Sequence, residues 1–205
     1  MRTFPNRWEV VWDTTAPRHL AVVNHVEILV TVTGLLAPRV IVDPADPSGD
    51  DLLTMHPSTI SEVACAEQRF LARHRQFGRL DDLAVSERLR KLRVDPDTRV
   101  LDLTEEEAED AATFGSSQFA DRVGLLDGLG RGECAVLAVA ANRELTAGVD
   151  DGAARRAASS IGVPVFTTED LLRAAVARLL VSRAEAEDIH QSLLDQGFRG
   201  SASLY

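Results

Sequence analysis

Four carboxylates, Asp13, Glu133, Asp150 and Asp151, stand where an apolar run or a glycine pair gives way to a turn or a helix start. Asp13 closes the run from Trp8 to Trp12 and is followed by the hydroxyls of Thr14 and Thr15. Asp150 and Asp151 close LTAGV, and Glu133 opens a helical stretch after Gly130 and Gly132. If the apolar runs are parallel strands, their carboxyl ends share one edge, and acids far apart in sequence meet there. Like charges gathered in this way repel, and they are stable mainly when a cation neutralises them or a proton is shared. Mg²⁺ or Mn²⁺ suits such a group. These hard ions take oxygen ligands, keep waters and bridge phosphates, which is what hydrolysis of a phosphodiester needs.

Each acid also has a simpler use. Asp13 with Thr14 and Thr15 reads equally well as a helix cap, Asp150-Asp151-Gly152 as a turn with a cap, and Glu133 as a complement to a helix dipole. Only their joint placement after apolar runs raises the site. Other chemistries lack their patterns. His19, His25, His56, His74 and His190 show no HExxH-like spacing, and Cys65 and Cys134 are unpaired in spacing, which excludes a zinc site and a disulfide scaffold. No GxSxG, GxxxxGK[ST] or strand-borne GxGxxG is present, so serine hydrolase, P-loop and dinucleotide readings fall away. Any phosphate chemistry here has to be borne by metal.

The elements that must position these acids follow from the apolar patterning. The Trp8–Trp12 run reads as a buried strand, followed by a helix from Ala16 to about Val26 with Pro17 in its first turn. A second strand is expected at Arg39–Val42, then an exposed loop, DPADPSGDD, and a helical pattern beginning near Pro57. From Ser58 to Arg93 apolar residues recur at helical spacing in a basic stretch that carries Arg69, Arg73, Arg88 and Arg90. Thr104 and Glu107 form a capping-box pattern that starts a helix at Glu105. GRGECAVLAVAANREL reads as a buried helix and LTAGV as a strand. AARRAASSIG is a helix closed by Gly162, VPVF a strand, and Thr168 to Leu180 a helix, with GFRGSASLY an ordered tail. Strands alternating with helices imply an α/β fold in three layers, a parallel sheet covered on both faces.

A chain of 205 residues that is 45% hydrophobic supports one core, so a single domain over 1–205 is expected. The net charge of -10 opposes general attraction to nucleic acid, but cations bound by a cluster of acids reverse the field locally. No run approaches the roughly 18 apolar residues of a membrane span, and MRTFPNRWEV lacks a signal-peptide core, so a soluble cytoplasmic protein is expected.

The stretches GLGRGECAVLAVA, GVDDGAARRAASSIGVPVF and GFRGSASLY, and more weakly VVWDTTAPRHLAVVNHVEIL, resemble the PIN-domain nucleases, above all their bacterial branch. The resemblance is strongest from Leu129 to Tyr205. It implies a three-layer PIN-like fold with a central parallel sheet flanked by helices, with an insertion or extended helical region at about 44–100. Asp13 is then the opening metal ligand, Glu133 the helix acid and Asp150 or Asp151 the later acid, with Thr14 or Thr15 assisting. Glu62, in HPSTISEV, matches an acid placed on a helix after the second strand. The implied activity is a Mg²⁺- or Mn²⁺-dependent endoribonuclease acting on RNA, with a toxin role held in check by a cognate antitoxin, and a homodimer. The alternative is a PIN-like binding or assembly module without catalysis. Arg69, Arg73, Arg88 and Arg90 are then expected to contact RNA phosphates or an acidic antitoxin segment, against the simpler reading of a solvated helix face.

Overall fold

The uniformly apolar runs become the inner strands. In the computed structural model, which describes residues 7, 9–39, 79–126 and 128–205, Val10–Trp12 form β1 and all three residues are buried. α1 (Thr15–Val22) and α2 (Val26–Val32) follow. The single helix expected from Ala16 to about Val26 is therefore interrupted. Asn24 adopts a left-handed conformation, φ 63°, which ends one helix before the next begins. Gly34, at φ 67°, then turns the chain into β2 (Leu35–Pro38), wholly buried. The sequence did not mark this strand; of the strand expected at Arg39–Val42, Arg39 is helical and residues 40–42 lie outside the described residues.

Residues 40–78 lie outside the described set, and with them Glu62, Arg69, Arg73 and most of the extended region expected at 44–100. The description resumes with α3 (Arg79–Arg93) and β3 (Thr98–Leu101). Sequence patterning did not mark β3, because Arg99 and Val100 are exposed and the segment has no apolar run. α4 (Glu105–Phe114) opens on the expected capping box, in which Glu107 N donates to Thr104 Oγ1 and Thr104 N donates to Glu107 Oε2. α5 (Ser117–Val123), capped by the Ser116 hydroxyl, precedes α6 (Arg131–Asn142), whose middle is buried throughout. β4 (Thr146–Gly148), α7 (Gly152–Ser160), β5 (Val165–Phe166), α8 (Thr168–Ala177) and α9 (Arg183–Asp195) complete the chain before the tail. Phe198 and Leu204 of that tail are buried, as expected of an ordered segment.

The five strands form one sheet in the order β3-β2-β1-β4-β5, and every pairing is parallel. The fold is α/β, the sheet flanked by nine helices among the described residues. Helix contacts fall into two groups, α1, α2, α3, α8 and α9 on one side and α4, α5, α6 and α7 on the other, as crossovers between parallel strands require. From β1 the chain winds outward through β2 to β3, then returns to the other side of β1 as β4. The winding direction thus reverses between β1 and β4, and a crevice opens outside their carboxyl ends. Gly148 ends β4 against the flat of Trp12: a Cβ there would lie 2.4 Å from the indole. The indole Nε1 donates to Thr33 Oγ1 at 3.0 Å. Among the described residues, no helix is long and apolar enough to cross a membrane.

Candidate active site

Asp13 leaves β1 at the crevice and is only 2% exposed. Its own loop satisfies it in part: Thr15 N donates to Oδ1 at 2.8 Å and Thr15 Oγ1 to Oδ2 at 3.0 Å. Its backbone N–H donates to the Gly148 carbonyl at 3.1 Å, which ties the ends of β1 and β4 together. Asp150, two residues beyond β4, is gripped from the end of β5. Thr168 N donates to Oδ1 at 2.8 Å and the Thr168 hydroxyl to Oδ2 at 2.5 Å. The ends of three neighbouring strands therefore converge on two acids. Burial pushes the Asp13 carboxyl up to about 8, the nearby Asp150 charge adds to this and Glu133 adds a little more, while the two hydrogen bonds from Thr15 pull the other way.

Glu133 sits in the first turn of α6, where its Oε2 accepts from Gly130 N at 2.8 Å. Asp151 is the N-cap of α7: its Oδ1 accepts from Ala153 N at 2.6 Å and Ala154 N at 3.2 Å. The simpler uses weighed for these acids are thus real. They do not exclude a second use, because Glu133, Asp150 and Asp151 line one open cleft of about 600 Å³.

Among the described residues, no three His, Cys, Asp or Glu side chains converge closely enough to enclose an ion. The arrangement is a pair, Asp13 and Asp150, with Glu133 within electrostatic reach. That donor set fits Mg²⁺ or Mn²⁺ chemically. It is all hard oxygen, it carries repulsion that a cation would relieve, and Mg²⁺ is commonly held by one or two carboxylates with waters and substrate phosphates completing its shell.

A family model described as PIN domain matches residues 86–205. The chain belongs to the PIN-domain family. No curated protein and no solved structure matches it. The matched segment runs from α3 to the tail and contains Glu133, Asp150 and Asp151; Asp13 precedes it in sequence and reaches the same crevice only through the pairing of β1 with β4.

Other groups in this PIN domain stand apart from the expectations. Arg88 on α3 donates from Nη1 to the Ala21 carbonyl at 2.8 Å, and Arg90 makes a double hydrogen bond to Glu87, 2.9 Å at each nitrogen. Both guanidinium groups thus have partners within the fold. Two residues at the site were missed by sequence reasoning. Thr168 follows β5, and the strand-end rule that singled out Asp13 and Asp150 applies to it equally. His19, set aside for lack of motif spacing, lies half-buried on α1 with Nδ1 3.9 Å from Asp150 Oδ2; that nitrogen is itself buried and makes no hydrogen bond among the described residues. Its ring meets Phe198 edge-on at 5.0 Å. No sequence signal links His19 to Asp150; the winding of the sheet does.

Proposed function

We propose that this PIN domain is a metal-dependent ribonuclease whose Asp13 and Asp150, with Glu133 beside them, hold a divalent cation at the crevice between β1 and β4. The observation that carries the reading is Asp13 itself. It is buried beside a second acid, with no cation of the protein against it among the described residues to relieve the charge. A carboxylate kept purely for stability is expected to find such a partner. A bound Mg²⁺ or Mn²⁺ supplies charge for the phosphoryl oxygens and a water acidic enough to attack phosphorus at neutral pH. The chain's part is positioning. Thr15 holds the Asp13 carboxylate and Thr168 the Asp150 carboxylate, so the two keep their orientation when substrate enters. Asp151 acts first as the cap of α7, and Glu62 stays with the proposal as a further ligand from the segment outside the described residues.

Calorimetric titration of Mn²⁺ and Mg²⁺ into the wild type, Asp13→Asn and Glu133→Gln, run beside a labelled-RNA cleavage assay, tests this. Binding and cleavage lost together in Asp13→Asn support the enzyme. Absence of binding by the folded wild type removes it and favours the second reading, a PIN-like binding or assembly module. That reading draws on the ties of Glu133, Asp150 and Asp151 to their own backbone N–H groups or, for Asp150, to Thr168. A toxin role with a small antitoxin partner, and a homodimer, belong to the enzyme reading. If the wild type and Asp13→Asn slow host growth equally, the toxin role is lost.

A further inference from the structure

The cleft that holds Glu133, Asp150 and Asp151 has a second wall of opposite charge, made by Arg155, Arg156 and Arg199. Opposite charges that share a cleft usually pair directly. Here they do not: the side chains of these three arginines make no hydrogen bond or ion pair among the described residues, with the acids or with anything else. In a chain of net charge -10, three uncommitted guanidinium groups beside a carboxylate cluster are a local reversal of the field. A group that carries negative charge toward the arginines and accepts a cation from the acids would bridge the two walls, and a phosphodiester does both.

Two structural devices hold the arginines in place. Arg155 and Arg156 ride on α7, whose start is fixed by the Asp151 cap at the edge of the acid wall. Arg199 is held by the C-terminal tail. Phe198 beside it packs edge-on against His19 at 5.0 Å and His190 at 6.2 Å. On its other side Gly200 runs so close to α8 that a Cβ would lie 2.5 Å from Glu169 Oε1. Ser201 then donates to the same Glu169 oxygen from N and Oγ, and Arg173 Nε donates to the Leu204 carbonyl at 3.0 Å. The tail is a strap whose anchored residues flank the one that faces the cleft. Leu126, fully exposed on the lip of the same cleft, offers an apolar face that suits an unpaired base better than a closed helix.

We infer that Arg155, Arg156 and Arg199 bind the backbone phosphates of a single-stranded nucleic acid and hold the strand across the cleft against the acid wall. This rests on the ribonuclease reading for what happens at that wall, but not for the binding itself. The test is binding of a short fluorescein-labelled single-stranded RNA to the full chain across a salt series in EDTA. Asp13→Asn serves as the uncleaving parent, with Arg199→Ala and Arg155→Ala/Arg156→Ala each added to it. Each arginine removed should weaken binding roughly tenfold. The slope of log affinity against log salt should also fall by about 0.7 for each phosphate that the variant no longer neutralises, a change that a merely structural residue would not produce. Arg199→Lys should keep the slope and lose part of the affinity, because the charge remains and the fork is gone. A DNA strand of the same sequence should bind comparably and a duplex more weakly.

Unchanged affinity and slope in both arginine variants overturns the inference, as does equal or tighter binding of the duplex. A slope lost in Arg90→Ala instead would place the strand along α3 and overturn it as well. Parent protein that binds neither strand removes the nucleic-acid reading altogether. Arginine-dependent binding in a protein that neither takes up Mn²⁺ nor cleaves RNA would remove the nuclease reading and leave the phosphate wall standing.

Discussion

Two buried carboxylates in this protein have opposite fates. Glu107, 1% exposed, takes two hydrogen bonds from Arg143, Nε to Oε1 at 2.5 Å and Nη2 to Oε2 at 2.8 Å, and caps Thr104 N. The Arg143 guanidinium, with help from Thr104, holds its carboxyl below the usual range in spite of burial. Asp13, 2% exposed, receives two hydrogen bonds from Thr15 and faces another acid, and its carboxyl is pushed far up. Neither side chain is open to solvent, but Asp13 lies deeper: burial first and Asp150 second push its carboxyl up, whereas Arg143 outweighs the shallower burial of Glu107. The fold invests a cation in the acid that ties α4 to α6 and withholds one from the acid at the strand ends, which is the pattern expected when one acid serves stability and the other serves a site.

The comparison is broken most sharply by Asp13→Asn. Divalent-dependent RNA cleavage should fall at least about a hundredfold. In EDTA at neutral pH, urea denaturation should show the variant more stable than the wild type by on the order of 1 kcal/mol, because folding no longer has to hold a buried acid protonated at a pH where the unfolded chain has released the proton. A variant that loses stability instead would make Asp13 a structural residue. Glu107→Ala should do the reverse, costing about 2 kcal/mol through the loss of a charged hydrogen-bonded partner and a cap, with cleavage by the folded protein unchanged. Arg143 is a third exposed and can turn to water, which keeps the loss below the ~3–5 kcal/mol of a fully buried pair.

Thr168→Val removes the hydroxyl on Asp150 while keeping shape, and calorimetry should show Mn²⁺ affinity reduced by about tenfold. The same contrast shows in the pH dependence of stability. In EDTA the folded protein keeps a proton on Asp13 up to about 8, while the unfolded chain releases it near 3.8. The folded state therefore holds more protons between those values, and this contribution to stability declines as pH rises from about 4 to about 8. Asp13→Asn should remove the decline. Glu107 has the opposite sign: its contribution is present above 4.5 and is lost as pH falls through its lowered folded value.

Patterns that depend on neighbours in sequence were readable. The capping box of Thr104 and Glu107, the buried run of α6 and the closure of α7 by Gly162 all came from residues within one or two helical turns of each other. The acids after β1 and β4 were readable for the same reason, since an apolar run that stops at Asp marks a strand end. β3 was not, because an edge strand with Arg99 and Val100 exposed needs no apolar signature. The break at Asn24 and the start of β2 after Gly34 went unmarked because left-handed residues, not hydrophobicity, set those boundaries.

The sequence by itself determined the fold class, the strand ends that carry Asp13 and Asp150, and membership of the PIN-domain family through residues 86–205. These are local or nearly local properties, written in periodicity and caps. Only the tertiary structure decided which groups meet. It put Thr168 on Asp150, His19 beside it and Arg199 in the cleft, and it gave Arg143 to Glu107 while leaving Asp13 with another acid. Those contacts join residues far apart in the chain through the order β3-β2-β1-β4-β5 and the anchoring of the tail, and no pattern along the sequence encodes a distance across a sheet.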